Sequence, residues 1–216
     1  MLHDAARQNA APPMMSHQNK LLVSLTSIAD LRLPANNLDI AFMKKCREMG
    51  ILGRGFCKTV VKYYVNERPA ALLRARNNYP LIREAQLLRR FIGKKHLLQP
   101  LSEYVVQTCY MNNEIPVELA EFGSFMDLVD SLEFEGKLGE ITPAHIDEVV
   151  KQVNFALDEL QSLGLRHNDL NSRNILVFQF CASEPQQTRV KLCDFSETRE
   201  GPRDCVKTLR RELEML

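Results

Sequence analysis

The stretch Leu165-Arg166-His167-Asn168-Asp169-Leu170-Asn171-Ser172-Arg173-Asn174-Ile175-Leu176 sets a histidine, an aspartate and an asparagine at fixed offsets ahead of an apolar run. Packing gives a surface loop no reason for that pattern, whereas phosphoryl transfer does. One acid must face the accepting hydroxyl, and an amide oxygen five residues on must hold a metal. A chain built around such a loop has to fold so that a nucleotide cleft opens beside it, and the remaining residues must supply that cleft.

At 216 residues the chain can bury a sizeable core as one domain or as two lobes sharing a cleft. Its 28 basic and 27 acidic side chains nearly cancel, which removes any electrostatic case for nucleic acid or an anionic membrane surface as partner. Six cysteines (Cys46, Cys57, Cys109, Cys181, Cys193 and Cys205) form no CxxC pair and no metal-ligand spacing with histidine. They read as reduced thiols of an intracellular protein, although the even count leaves disulfides open. Residues 1–19 lack periodicity and read as disordered, and 20–49 as an N-terminal extension. Lys20 to Leu33 offers neither a long apolar run nor a cleavage site, so no membrane span or signal peptide is expected, and a cytoplasmic location is.

Residues 39–49 read as a short helix ended by Gly50. From Ile51 to Val65 the pattern becomes strand, glycine turn and strand, with a β-branched and aromatic second half. Gly53, Gly55 and Val60 fall at the first, second and valine positions of GxGxxGxV, and Lys58 stands where the third glycine would be. Alternation along a strand puts Lys58 and Val60 on one face. Arg68 to Arg74 reads as a third strand, and no lysine occurs anywhere from Tyr63 to Gly93.

On these residues the chain resembles protein kinases. The resemblance implies that the glycine loop cradles phosphates, that Val60 covers the adenine, and that a third-strand lysine near Leu72 or Leu73 is missing. Arg74 and Arg76 are poor steric replacements for an ammonium. In its loop lysine the chain resembles the with-no-lysine kinases, which implies that Lys58 takes over phosphate binding. Pro80 to Ile92 reads as a helix carrying Leu81, Leu87, Leu88 and Phe91 at helical spacing. The resemblance places Glu84 opposite the active-site lysine; the bland alternative is a solvated glutamate beside Arg83. His96–Tyr110 and Pro116–Phe122 read as two further strands that complete a five-stranded lobe. The adenine-contacting hinge is then Glu118-Leu119-Ala120 or Glu121-Phe122-Gly123, of which Glu121 and Phe122 lead better into the next helix.

Thr142 as N-cap, Pro143 in the first turn and Gly164 at the end bound a helix with Ile146, Val149, Val150, Val153, Leu157, Leu160 and Leu163 on one stripe. It would deliver the chain to His167. Asp169 is the candidate catalytic base and Asn174 a metal ligand, with His167 anchoring the loop backbone. Ile175–Phe180, a polar turn at Ala182–Gln187 and Arg189–Cys193 form a hairpin that ends at Asp194-Phe195-Ser196, 25 residues after Asp169. This resembles the metal-binding Asp-Phe-Gly with serine for glycine, which makes Asp194 the second metal ligand.

The expected fold is therefore α+β and bilobal, protein-kinase-like, over residues 50–216. A small β-rich N-lobe spans about 50–122, and a truncated or minimal helical C-lobe about 123–216. Asn168 replaces the arginine that usually pairs with an activation-loop phosphate, which argues against that switch. Arg173 before Asn174 resembles tyrosine kinases. Asp204 to Leu216 reads as a closing helix with Val206, Leu209, Leu213 and Leu216 on one side. The expected function is ATP- and Mg²⁺-dependent transfer of a γ-phosphoryl group to a hydroxyl of a protein substrate. Two alternatives stand beside it: a pseudokinase that keeps the fold as a binding module, and a small-molecule kinase.

Overall fold

The computed structural model describes residues 47–54, 58–65, 68–75, 78–101, 106–107 and 113–216. Five strands form an antiparallel sheet in the order β1-β2-β3-β5-β4: β1 (Arg47–Arg54), β2 (Thr59–Val65), β3 (Arg68–Ala75), β4 (Val106–Gln107) and β5 (Asn113–Val117). Helix α1 (Asn78–Arg90) follows β3. The second lobe holds α2 (Phe125–Phe134), α3 (Pro143–Gln161) and α4 (Lys207–Glu214). Two small ribbons join them: β6 (Leu165–Arg166) with β9 (Arg199–Glu200), and β7 (Ile175–Gln179) with β8 (Arg189–Leu192). The arrangement is α+β and bilobal, as the sequence implies.

The two lobes share one core, in which Leu88, Phe91, Leu97, Leu157, Ile175 and Phe195 are all almost fully enclosed. Each such leucine or phenylalanine contributes about 2 kcal/mol by leaving water. The α3 stripe is buried at Val149, Val150, Val153, Leu157 and Leu160 and half-buried at Ile146 and Leu163. Its first turn is tied by His145, whose Nδ1 accepts the Thr142 N–H at 3.2 Å. That leaves Nε2 to donate to the Cys181 carbonyl at 3.0 Å, stapling α3 to the β7–β8 hairpin.

Local sequence signals are overruled at several boundaries. Residues 47–50 are strand rather than the end of a helix, because Arg47, Glu48 and Gly50 pair across to Tyr64, Tyr63 and Lys62 with a bulge at Met49. The rest of that expected helix, 39–46, lies outside the described residues, as do 1–38. Helix α1 begins before Pro80, which sits in the first turn where no N–H is needed. The strand expected over His96–Tyr110 is confined to Val106–Gln107 among the described residues. His96 and Leu98 instead exchange backbone bonds with Leu192 of β8. The strand expected over Pro116–Phe122 runs from Asn113 to Val117. Beyond it the Phe122 N–H donates to the Val177 carbonyl and the chain has left the sheet. Helix α4 starts at Lys207, not Asp204, because the Asp204 carboxylate is drawn to another loop.

Candidate active site

Lys58 precedes β2, and its ammonium lies 2.8 Å from both Glu84 oxygens and 2.8 Å from Asp194 Oδ1. The register explains how. Gly53 of β1 faces Val60, and Val60 faces Leu73, so Leu73 occupies the cleft side of β3 and carries only apolar atoms there. The one cation reaching Glu84 and Asp194 among the described residues comes from the loop before β2. Gly55 lies outside the described residues.

Glu84, on α1, is 1% exposed and also accepts the Phe195 N–H at 3.3 Å. Burial works against the charge on Lys58, but the carboxylates of Glu84 and Asp194 outweigh it and raise its pKa above the ordinary lysine value. Burial likewise works to raise the Asp194 carboxyl; the Lys58 ammonium and the bonds from Ser196 overcome it and hold the group below the usual carboxylate range. Both groups are charged at neutral pH.

Asp194 itself sits in left-handed backbone at φ 58°, a conformation that aspartate tolerates better than most residues. Phe195 behind it is fully buried, edge-on to Phe91 at 4.6 Å and to His167 at 5.5 Å. Ser196 keeps a negative φ, so glycine is not required, and its hydroxyl donates to Asp194 Oδ1 at 2.9 Å.

The loop of the opening motif is locked from within. The Asp169 N–H donates to His167 Nδ1 at 3.3 Å, which leaves Nε2 to donate to the Cys193 carbonyl at 2.8 Å. Burial lowers the His167 pKa, so the ring is a neutral strut. The Asn174 amide donates to the Asp169 carbonyl at 2.8 Å and to its Oδ2 at 2.9 Å. The Cys193 N–H donates to the Asn174 carbonyl at 2.9 Å, which places Asn174 against the residue before Asp194. Asp169 is exposed at the loop tip.

Three supports carry no sequence motif. The Asp204 carboxylate accepts the N–H groups of His167 at 2.6 Å and Asn168 at 3.1 Å. Glu212 of α4 accepts from the Ser172 N–H at 3.1 Å and from its hydroxyl. Arg199 of β9 donates to Asn168 Oδ1 at 2.8 Å, and Asn168 holds φ 69°. The one available signal was Asn168, since asparagine is favoured in left-handed backbone.

Asn174 Oδ1 and Asp194 Oδ2 have no partner among the described residues. Two hard oxygens, one just before β7 and one just after β8, suit Mg²⁺, which takes one or two protein ligands and fills its remaining positions with phosphate and water. No cluster of three or more His, Cys, Asp or Glu side chains capable of caging a metal occurs among the described residues.

Glu121 is exposed beside the cleft. Phe122 packs its ring on Phe180 at 6.4 Å with its N–H already spent on Val177. Leu119 and Ala120, by contrast, have no hydrogen bond to their backbone N–H groups among the described residues. Glu118 turns its carboxylate away, to Lys191 at 2.6 Å.

The sequence model of the family described as protein tyrosine and serine/threonine kinase matches residues 56–214, a span that includes Lys58, Glu84, Asp169, Asn174 and Asp194. No curated protein sequence matches the chain.

Proposed function

We propose, from the premise that this chain belongs to the protein tyrosine and serine/threonine kinase family, that it transfers the γ-phosphoryl group of ATP to a hydroxyl of a protein substrate. The observation that carries the reading is one connected cluster. Lys58 binds Glu84 and Asp194, and Asn174, backbone-bonded to Cys193, joins that group to Asp169.

In this reading Gly53, Gly55 and the Lys58 ammonium receive the phosphates while Glu84 keeps Lys58 in place. The Asp194 contact yields to a phosphate oxygen when nucleotide enters, since the three protons of Lys58 are otherwise fully used. Val60 covers the adenine. Its edge is read by the backbone at Glu118–Ala120 rather than at Glu121–Phe122, because the Phe122 N–H is already committed. Asn174 Oδ1 and Asp194 hold Mg²⁺, which when bound neutralises charge on the phosphates. Asp169 accepts the hydroxyl proton or orients the nucleophile, its carboxylate steadied by the Asn174 and Asn171 amides.

The free thiols of Cys181, Cys193 and Cys205 support an intracellular, reducing location. No described helix is long and apolar enough to cross a membrane.

The test is phosphate transfer from γ-labelled ATP with Mg²⁺ to the protein itself and to generic protein acceptors. Wild type is expected to incorporate label and Asp169→Asn to lose at least about a hundredfold. Equal incorporation by the two, or none by wild type, would overturn the reading. A small-molecule acceptor is favoured by one feature, the short course from Asp194 to α4 at Lys207. Sugars and amino alcohols in the same assay separate the two acceptor classes.

A further inference from the structure

A cleft of about 690 Å³ opens between the turn after α1, helix α3 and the β7–β8 hairpin. None of Lys58, Glu84, Asp169, Asn174 or Asp194 lines it. Its walls carry five cationic side chains, Lys94, Lys95, Lys151, Arg189 and Lys191, against the single carboxylate of Glu148.

Two of these cations, Lys94 and Lys95, have no carboxylate partner among the described residues. Lys95 Nζ has no partner among the described residues. Lys94 reaches only the Ser162 hydroxyl at 3.3 Å, while Arg189 donates to the carbonyls of Gln186 and Thr188 and is close enough to Glu148 to attract its carboxylate. The neighbouring Glu159 spends its two oxygens on the backbone N–H groups of Lys95 and His96. Lys151 and Lys191 do pair, with Glu148 and Glu118.

The cleft also has an aromatic floor. Phe155 is 45% exposed on a helix whose next residues, Ala156 and Leu157, are buried, and it stacks on His96 at 5.2 Å. Phe178 lies beneath the Lys191 ammonium at 5.2 Å. His96 Nδ1 is buried there, 3.4 Å from Glu159 Oε1 and without a well-aligned hydrogen bond.

We propose that this cleft docks an acidic segment of a partner protein, one that sets an apolar or aromatic residue among its carboxylates. The cations lie on three separate elements instead of converging on one point, so they fit charges spread along a chain better than a single phosphate. The volume accommodates several side chains, and the exposed Phe155 ring gives an apolar residue a surface to cover. The cleft is distinct from the phosphotransfer cluster and does not depend on its chemistry.

Fluorescence anisotropy of the full chain with short labelled peptides, rich in Asp and Glu around one Phe, tests this directly. The acidic peptides are expected to bind, more weakly as salt rises, and about tenfold or more weakly to K95E/R189E. Phe155→Ala should weaken them too, and ATP with Mg²⁺ should not displace them. K95Q/R189Q serves if the charge reversal lowers the melting temperature. The proposal is overturned by any of four results: no binding, binding unchanged in either double variant, equal binding of Gln and Asn versions, or displacement by ATP. Tighter binding of a single-stranded oligonucleotide through Lys95 and Arg189 would also overturn it, by making the cleft a nucleic-acid site.

Discussion

The ammonium of Lys58 lies 2.8 Å from each carboxylate oxygen of Glu84, so the loop before β2 is bound to α1 by a two-pronged ion pair. Glu84 is 1% exposed and accepts the Phe195 N–H as well. Enclosing a carboxylate that far costs free energy unless a cation stands beside it, so the pair organises the lobe as well as the nucleotide site.

Lys58→Met should therefore destabilise the fold by about 3 kcal/mol, since breaking a buried pair leaves one charge uncompensated. Adding Glu84→Gln should restore part of that loss. Denaturant midpoints of the single and double variants measure both, and an additive loss would mean that the two side chains are not coupled.

Asp204 is expected to be a positioning residue for the loop that carries Asp169. Its carboxylate is 8% exposed and serves the N–H groups of His167 and Asn168. Asp204→Ala should cost about 2 kcal/mol, the penalty for leaving such donors unpaired. If phosphoryl transfer is the activity, kcat should fall while KM for ATP holds, because Asp204 touches nothing at the nucleotide end. Equal changes in both would place it elsewhere.

Stability should fall on acidification through His167. Burial lowers its folded pKa beneath the ordinary value of about 6.5. Below that value the unfolded chain binds a proton that the folded ring refuses. The stabilisation is complete above about pH 6.5 and declines as pH falls toward the lower folded pKa. A pH series of unfolding midpoints should show this slope in wild type and a shallower one in His167→Asn.

Phosphatase treatment should leave activity unchanged. Asn168 has no charge with which to hold a phosphate; it accepts from Arg199, and β9 is already paired to β6. A loss of activity on dephosphorylation would show that this clamp needs a covalent signal.

Elements with strong local signals were legible in the sequence: the α3 stripe between Thr142 and Gly164, the β7–β8 hairpin and the loop at His167. Pairings decided at long range were not. His96–Leu98 binds Leu192 in parallel, and no pattern near His96 reports a partner so far along the chain. Residues 47–49 carried a helical pattern, yet pairing with β2 made them strand. Asp204 reads as the first residue of the closing helix, but two N–H groups of another loop claimed its oxygens. Lys58 was readable only because the third strand lacks a lysine; the resemblance set Glu84 opposite that lysine, while its local sequence fitted a solvated glutamate beside Arg83 equally well.

The most direct test of Lys58 as the phosphate-binding ammonium uses an acyl-phosphate derivative of ATP, which acylates the lysine nearest the phosphates. Mass-spectrometric mapping should find the label on Lys58, with free ATP and Mg²⁺ protecting it. Label on Lys62 or Lys191 in preference to Lys58, or labelling of Lys58 that ATP does not diminish, would contradict the assignment.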